Sequence, residues 1–178
     1  MYPVIRMAYQ LFIHRKAPPL PPTGTHVSRH MCLPWDIDLW MELNNGRTLT
    51  LFDMGRIPLA RRTGLIALLR RKRWGLTMAG ASVRYRRRIR MFETVEMRSR
   101  LAGWDERFFY VEQSMWKSDG ECANHIVYRA AVTGQGGIVP TSVVVKALGI
   151  AGEPHPVPDW IAAWIAADSQ RPWPPMAE

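Results

Sequence analysis

Three carboxylates sit close together ahead of a helix start in this chain. Asp36 and Asp38 alternate in the short apolar segment Trp35-Asp36-Ile37-Asp38-Leu39-Trp40, Glu42 follows, and Asn44-Asn45-Gly46-Arg47 opens the helix. Carboxylates beside a helix N-terminus suggest chemistry in which negative charge develops. The first backbone N–H groups of a helix lack intrahelical partners and can hold such charge. Each residue also has a plainer role. Asp36 reads as a solvent-facing or capping carboxylate, and asparagine is a preferred N-cap, so Asn44 or Asn45 fixes the helix end in either case. Further along, Arg84, Arg86, Arg88 and Arg90 alternate. They suit phosphate recognition, since arginine grips phosphate bidentately, or the solvated face of an antiparallel sheet. Asp53 and Arg56 form an i,i+3 pair with a structural role, and His125 reads as structural within a strand.

These residues need elements to hold them. The spacing predicts an amphipathic helix within residues 1–16, with Val4, Met7, Ala8 and Leu11 on one face. A stiff proline-rich linker follows at 17–24. A strand is expected over 25–33, then a helix from Asn44 or Asn45 to about Gly64, kinked or divided by Pro58. After a short basic amphipathic piece (65–73) the period changes to two. Val83, Tyr85, Arg87, Ile89 and Met91 face one way and the four arginines the other, so a basic strand is expected at 84–90. Arg87, on the apolar side of that register, marks a bulge, an edge or a paired buried charge. Further strands are expected at 94–101, 108–117 and 121–133, with turns at 103–106 and Ser118-Asp119-Gly120. Short connections make the sheet antiparallel. Gly134 to Gly137 follows a strand but leads into no helix, so it is no phosphate loop. Trp160, Ile161, Trp164 and Ile165 form one stripe of a C-terminal helix packed on its own chain. A long helix followed by four successive strands is an α+β, two-layer arrangement.

The chain is long enough, at 178 residues, for one domain with a core. We expect an N-terminal arm and linker (1–24), a body (25–139) and a C-terminal extension (140–178). With 24 Lys and Arg against 15 Asp and Glu, the net charge is +9, which favours a polyanionic partner. The basic segment lacks the interleaved exposed aromatics of a single-strand-binding sheet, so no nucleic-acid partner is expected. A weak membrane-surface contact through the N-terminal helix stays open. The two cysteines, Cys32 and Cys122, are not in metal-like spacing and read as free thiols in a reducing, cytoplasmic setting; no metal is expected.

Asp36-Ile37-Asp38, Leu43-Asn44-Asn45-Gly46-Arg47 and Arg56, in this order and spacing, resemble the signature of hotdog-fold acyl-CoA thioesterases. The resemblance is to the 4-hydroxybenzoyl-CoA thioesterase type, in the branch of thioesterase superfamily member six, and covers residues 27–139. It implies a central helix wrapped by an antiparallel sheet of about five strands. It also implies a homodimer, or a dimer of dimers, with sites at the subunit interface. The implied activity is hydrolysis of an acyl-CoA or acyl-carrier thioester, with coenzyme A as part of the substrate and no other cofactor. Asp38 matches the family's catalytic carboxylate. Glu42 stands where relatives carry histidine, and Thr48 where they carry tyrosine, so Glu42 is the second candidate. The oxyanion would be held by backbone N–H groups at Asn44, Asn45, Gly46 and Arg47, and coenzyme A phosphates by Arg84, Arg86 and Arg88. The departure at Glu42 also fits a non-hydrolytic acyl-CoA or lipid-binding protein.

Overall fold

The structure, a computed structural model, describes residues 2–150, 156–172 and 174–175. An 18-residue helix, α2 (Asn45–Arg62), forms the axis of the molecule. It starts where expected because the Asn44 side chain caps it: Oδ1 accepts from the N–H groups of Gly46 at 2.9 Å and Arg47 at 3.1 Å. It ends at Thr63, followed by Gly64 in the left-handed conformation (φ 81°) that glycine adopts without penalty. Pro58 neither stops nor divides it; the helix continues to Arg62.

Around α2 curls an antiparallel sheet, built from β1 (His26–Met31), β2 (Gly75–Tyr85), β3 (Thr94–Trp104), β4 (Phe109–Trp116), β5 (Cys122–Gly134) and the two-residue β6 (Gly137–Ile138). The spatial order is β1-β3-β4-β5-β2, with β6 on β5. This is the α+β, hotdog-type arrangement that the resemblance implies. Leu51, Phe52 and Met54 of α2 pack with Val95, Met97, Met115 and Ile126 of the sheet to form the main core. The helix comes nearest the sheet at Gly55, where a Cβ would lie 2.5 Å from Ser99 Oγ and 2.6 Å from Met97 Sδ. Beside it Gln113 Nε2 donates to the Phe52 carbonyl and to Ser99 Oγ, both at 2.8 Å. This buried contact fixes how the helix sits on the strands.

The opposite face of the sheet is covered at its centre. Helix α5 (Asp159–Ser169) sets Ile161 against Ala102, Tyr110 and Val127, with Trp164 and Ile165 beside it, so the C-terminal stripe does pack on its own chain. A short α3 (Leu65–Lys72) and α4 (Thr141–Ala147) close one end around Leu68, Phe109, Val132, Val144 and Val145. Covered on both faces, β5 is buried almost throughout instead of alternating. Residues 151–155 of the C-terminal extension lie outside the described residues.

Two expectations need correction. The first is the basic strand at 84–90. Pairing of β2 with β5 ends at Tyr85 opposite Asn124. The N–H groups of Arg86 and Arg87 then both turn to the Ala123 carbonyl, and the chain leaves the sheet. Ile89 is buried because this loop dips into the core, where its carbonyl accepts from Leu43 N–H at 2.8 Å. One buried residue flanked by exposed arginines imitates strand alternation. Arg87 lies on the surface paired with Glu121. The second is the N-terminal helix, α1 (Val4–Ile13). Met7 and Gln10 are buried and Leu11 half-buried, while Val4 and Ala8 face solvent. The linker after it is tied to the end of α2: Leu20 N–H donates to the Arg62 carbonyl, and Arg62 Nε donates to the Pro18 carbonyl.

Candidate active site

The segment between β1 and α2 positions the three carboxylates, and it gives each a different surrounding. Asp36 ends a short 3-10 turn (Pro34–Asp36) and is completely buried. Its Oδ2 accepts from Arg6 at 2.5 Å and from Leu33 N–H at 3.1 Å; its Oδ1 accepts from Arg47 at 2.9 and 3.2 Å. The solvent-facing reading of Asp36 is therefore overturned. Two arginines supply the charge that makes burial tolerable, and the carboxylate joins α1, the turn and the first turn of α2.

Asp38 opens a tight hairpin. Ile37 pairs with Leu43, Asp38 N–H donates to the Glu42 carbonyl at 2.9 Å, and Met41 N–H returns to the Asp38 carbonyl at 3.1 Å. The Asp38 carboxylate accepts from Trp40 N–H at 2.9 Å, an Asx turn. Met41, with φ 58°, completes the reversal. Asp38 is thus half-exposed and occupied with its own turn.

Glu42 leaves the hairpin on the way to α2 and lines a cleft of about 210 Å³ with Asn45, Tyr85, Arg86, Arg88 and Asn124. Its Oε2, shielded from solvent, lies 2.8 Å from Arg88 Nε but without an aligned hydrogen bond. Asn124, buried on β5, and Tyr85 at the end of β2 form part of the wall. Burial raises the Tyr85 phenol pKa, so the hydroxyl keeps its proton at neutral pH. Sequence reading missed both residues: an asparagine and a tyrosine within strands carry no motif, and only the β2–β5 register, which sets Tyr85 opposite Asn124, puts them at the mouth of α2.

The helix N-terminus is less open than a bare helix end. Asn44 N–H donates to the Asp36 carbonyl, Gly46 and Arg47 N–H groups donate to Asn44 Oδ1, and Thr48 N–H donates to the Asn44 carbonyl. Among the described residues the Asn45 N–H has no hydrogen-bond partner, and Asn45 lines the cleft. The structure thus gathers Glu42, Asn45, Arg86 and Arg88 in one place. Asp38 and Arg84 are not in it. Arg84 sits on the opposite face of the sheet, in a groove with Glu112, His125 and Trp160. There His125 Nε2 and Glu112 Oε1 are 2.9 Å apart; this hydrogen bond, together with Arg100, lowers the Glu112 pKa.

A second cavity, apolar and of about 70 Å³, lies between the C-terminal half of α2 and the sheet. Leu59, Met78, Phe109, Val111, Leu148 and Ile150 line it. At 1.5 Å per helical residue it is about 20 Å along α2 from Asn45. Among the described residues no group of three or more His, Cys, Asp or Glu side chains could hold a metal, and both cysteines are free thiols. Burial pushes the Cys32 thiol up to about 11.

Residues 32–165 match the model of the thioesterase-like superfamily. Protein THEM6 of Xenopus laevis is 40% identical over 88 residues, which are 49% of this chain and 42% of that protein. The chain spans about half the length of the curated relatives it matches. Among solved structures, the probable thioesterase YbaW of Escherichia coli superposes with a TM-score of 0.65 at 11% identity, over 69% of this chain and 96% of that one. Slr0204, a 1,4-dihydroxy-2-naphthoyl-CoA thioesterase from Synechocystis, superposes with a TM-score of 0.60 at 9% identity, over 74% of this chain and all of that one. At such identities the superpositions speak for the fold, while the match of residues 32–165 carries the family: this hotdog chain belongs to the thioesterase-like superfamily.

Proposed function

We propose that the protein hydrolyses an acyl-CoA thioester, with Glu42 as the working carboxylate. One observation supports this above the others: of the three carboxylates, Glu42 alone stands in the arginine-rimmed cleft at the start of α2. Glu42 takes a proton from water as the water oxygen attacks the thioester carbonyl. The oxyanion accepts from the Asn45 N–H, aided by the positive end of α2. Collapse expels the thiolate of coenzyme A, which takes up the proton, and leaves the free acid. Direct attack by Glu42 through a mixed anhydride, hydrolysed in a second step, has the same balance. Arg86 and Arg88, exposed at the rim, bind the phosphates; Asp38 shapes the hairpin that presents Glu42.

In this reading the working unit is a homodimer. Strands β1 and β2 are the two edges of the sheet, and β2 exposes Leu76 and Met78. Antiparallel pairing of two β2 edges would bring the apolar cavity beside Leu76 and Met78 of one copy towards the cleft beside Tyr85 of the other. An acyl group and its thioester would thus be served by two subunits. The free thiols fit a reducing, cytoplasmic setting.

The second reading is acyl-CoA or lipid binding without hydrolysis. It draws on Arg88, which lies close enough to Glu42 to hold it as an ion pair and occupy the carboxylate in place of a water. Thiol release from short, long and aromatic acyl-CoAs separates the two. Wild type should turn over, and Glu42→Gln should lose about a hundredfold or more while Asp38→Asn keeps most activity. Loss in Asp38→Asn alone would move the chemistry to Asp38. Binding without thiol release in wild type would establish the second reading.

A further inference from the structure

Outside the cleft, one apolar surface serves none of the chemistry above. Helix α1 turns Val4, Ile5, Ala8, Tyr9, Phe12 and Ile13 to solvent; Ile5 is 86% and Phe12 59% exposed. The tip of the 37–43 hairpin adds Leu39 at 94% and Trp40 at 77%. Both belong to the same end of the molecule, because Arg6 of α1 reaches the Asp36 carboxylate just before the hairpin and the Met31 carbonyl behind it. Basic residues border this surface. Arg15 and Lys16 are exposed at the C-terminal end of α1, Arg15 over the Phe12 ring, and exposed Arg90 is joined through its backbone to Glu42 at the base of the hairpin.

We propose that this face docks on an anionic lipid bilayer, with α1 lying in the plane of the interface and the Leu39–Trp40 tip inserted among the headgroups. A surface helix with an outward apolar face and flanking cations has the pattern of an interfacial helix, and tryptophan favours the boundary between headgroups and acyl chains. Each Lys or Arg near an anionic surface adds attraction, and the chain carries a net charge of +9. The same border opposes a second copy as occupant, since two equally basic faces repel. Because Glu42 is at the base of the inserted hairpin, docking holds the mouth of the cleft at headgroup level. This inference stands whether or not Glu42 hydrolyses a thioester.

The test is co-sedimentation with phosphatidylcholine vesicles, with and without phosphatidylglycerol, for wild type and the double variant Ile5→Glu/Phe12→Glu. Both side chains are exposed, so the variant should fold, as circular dichroism would check, and its thiol release from a soluble short-chain acyl-CoA without vesicles should match wild type. Wild type should pellet with the anionic vesicles and be released by salt, and the double variant should partition at least about tenfold less. Absence of pelleting, or equal pelleting of wild type and variant, overturns the proposal. So does a fall in solution mass of the variant without vesicles, which would identify a second copy as what covers the face.

Discussion

Of the residues ahead of α2, Asp36 is the one whose loss should cost the most stability, although it does not line the cleft. It is buried between Arg6 and Arg47, so Asp36→Asn leaves two cations facing an uncharged amide. Breaking such a pair from one side should cost about 3 kcal/mol, read as a lower urea midpoint. Asp38→Asn should cost much less, because an asparagine oxygen can still accept the Trp40 N–H. Gly55 makes a sharper test of packing. Alanine favours a helix by about 1 kcal/mol, but here its Cβ would press on Ser99 Oγ and Met97 Sδ in a filled core. Gly55→Ala should therefore destabilise by about 1–3 kcal/mol, measurable by urea unfolding. The sequence placed Asp36 and Asp38 in one motif, with Asp36 read as a solvent-facing or capping carboxylate and Asp38 as the family's catalytic one. Burial made one an ion-pair centre, and a turn made the other its first residue.

At the scale of elements, the junction of β1 with the N-terminal arm should be sensitive to acid. His26 and His30 lie inward on β1. Burial first, and neighbouring cations after it, depress His26 to about 4 and His30 to about 3. His14, after α1, packs edge-on against His26 with its own pKa lowered by burial and Arg62. A histidine held neutral in the fold is protonated first in the unfolded chain, so the unfolded state binds more protons below about 6.5. The contribution of these residues is complete above about pH 6.5 and is lost as pH falls towards 4 for His26 and 3 for His30. Melting temperature should drop over that window, and His30→Gln should flatten the drop; an unchanged profile would contradict the burial argument. The elements themselves were largely legible. Asn44 and Gly64 mark the ends of α2, and Ser118-Asp119-Gly120 marks the turn between β4 and β5. The basic strand was misplaced because Arg84 to Arg90 alternates in composition, and the chain turns out of the sheet after Tyr85 for reasons held in the Ala123 carbonyl on another strand.

At the scale of the whole molecule, the open β2 edge sets the expectation for assembly. A long unpaired edge invites another strand, so light scattering at micromolar concentration should give twice the chain mass of 20.4 kDa. Leu76→Lys, which places a charge at that edge, should shift the mass towards one chain. A monomeric wild type would remove the shared site from the proposed function. Among the described residues no helix is long and apolar enough to cross a membrane. What the sequence determined by itself was local or periodic: the capped helix, strands β1 and β3 to β5, the family motif and the free thiols. Each follows from neighbours within a few residues, where capping, turn chemistry and alternation act. The tertiary structure alone decided which carboxylate meets the arginines, that Asn124 and Tyr85 belong to the cleft, that Asn44 uses up donors expected for an oxyanion, and which face of α1 looks outward. Those outcomes depend on strand register and on charges meeting across 11 residues of chain, as for Asp36 and Arg47, to 46, as for Glu42 and Arg88, distances over which no local spacing carries information.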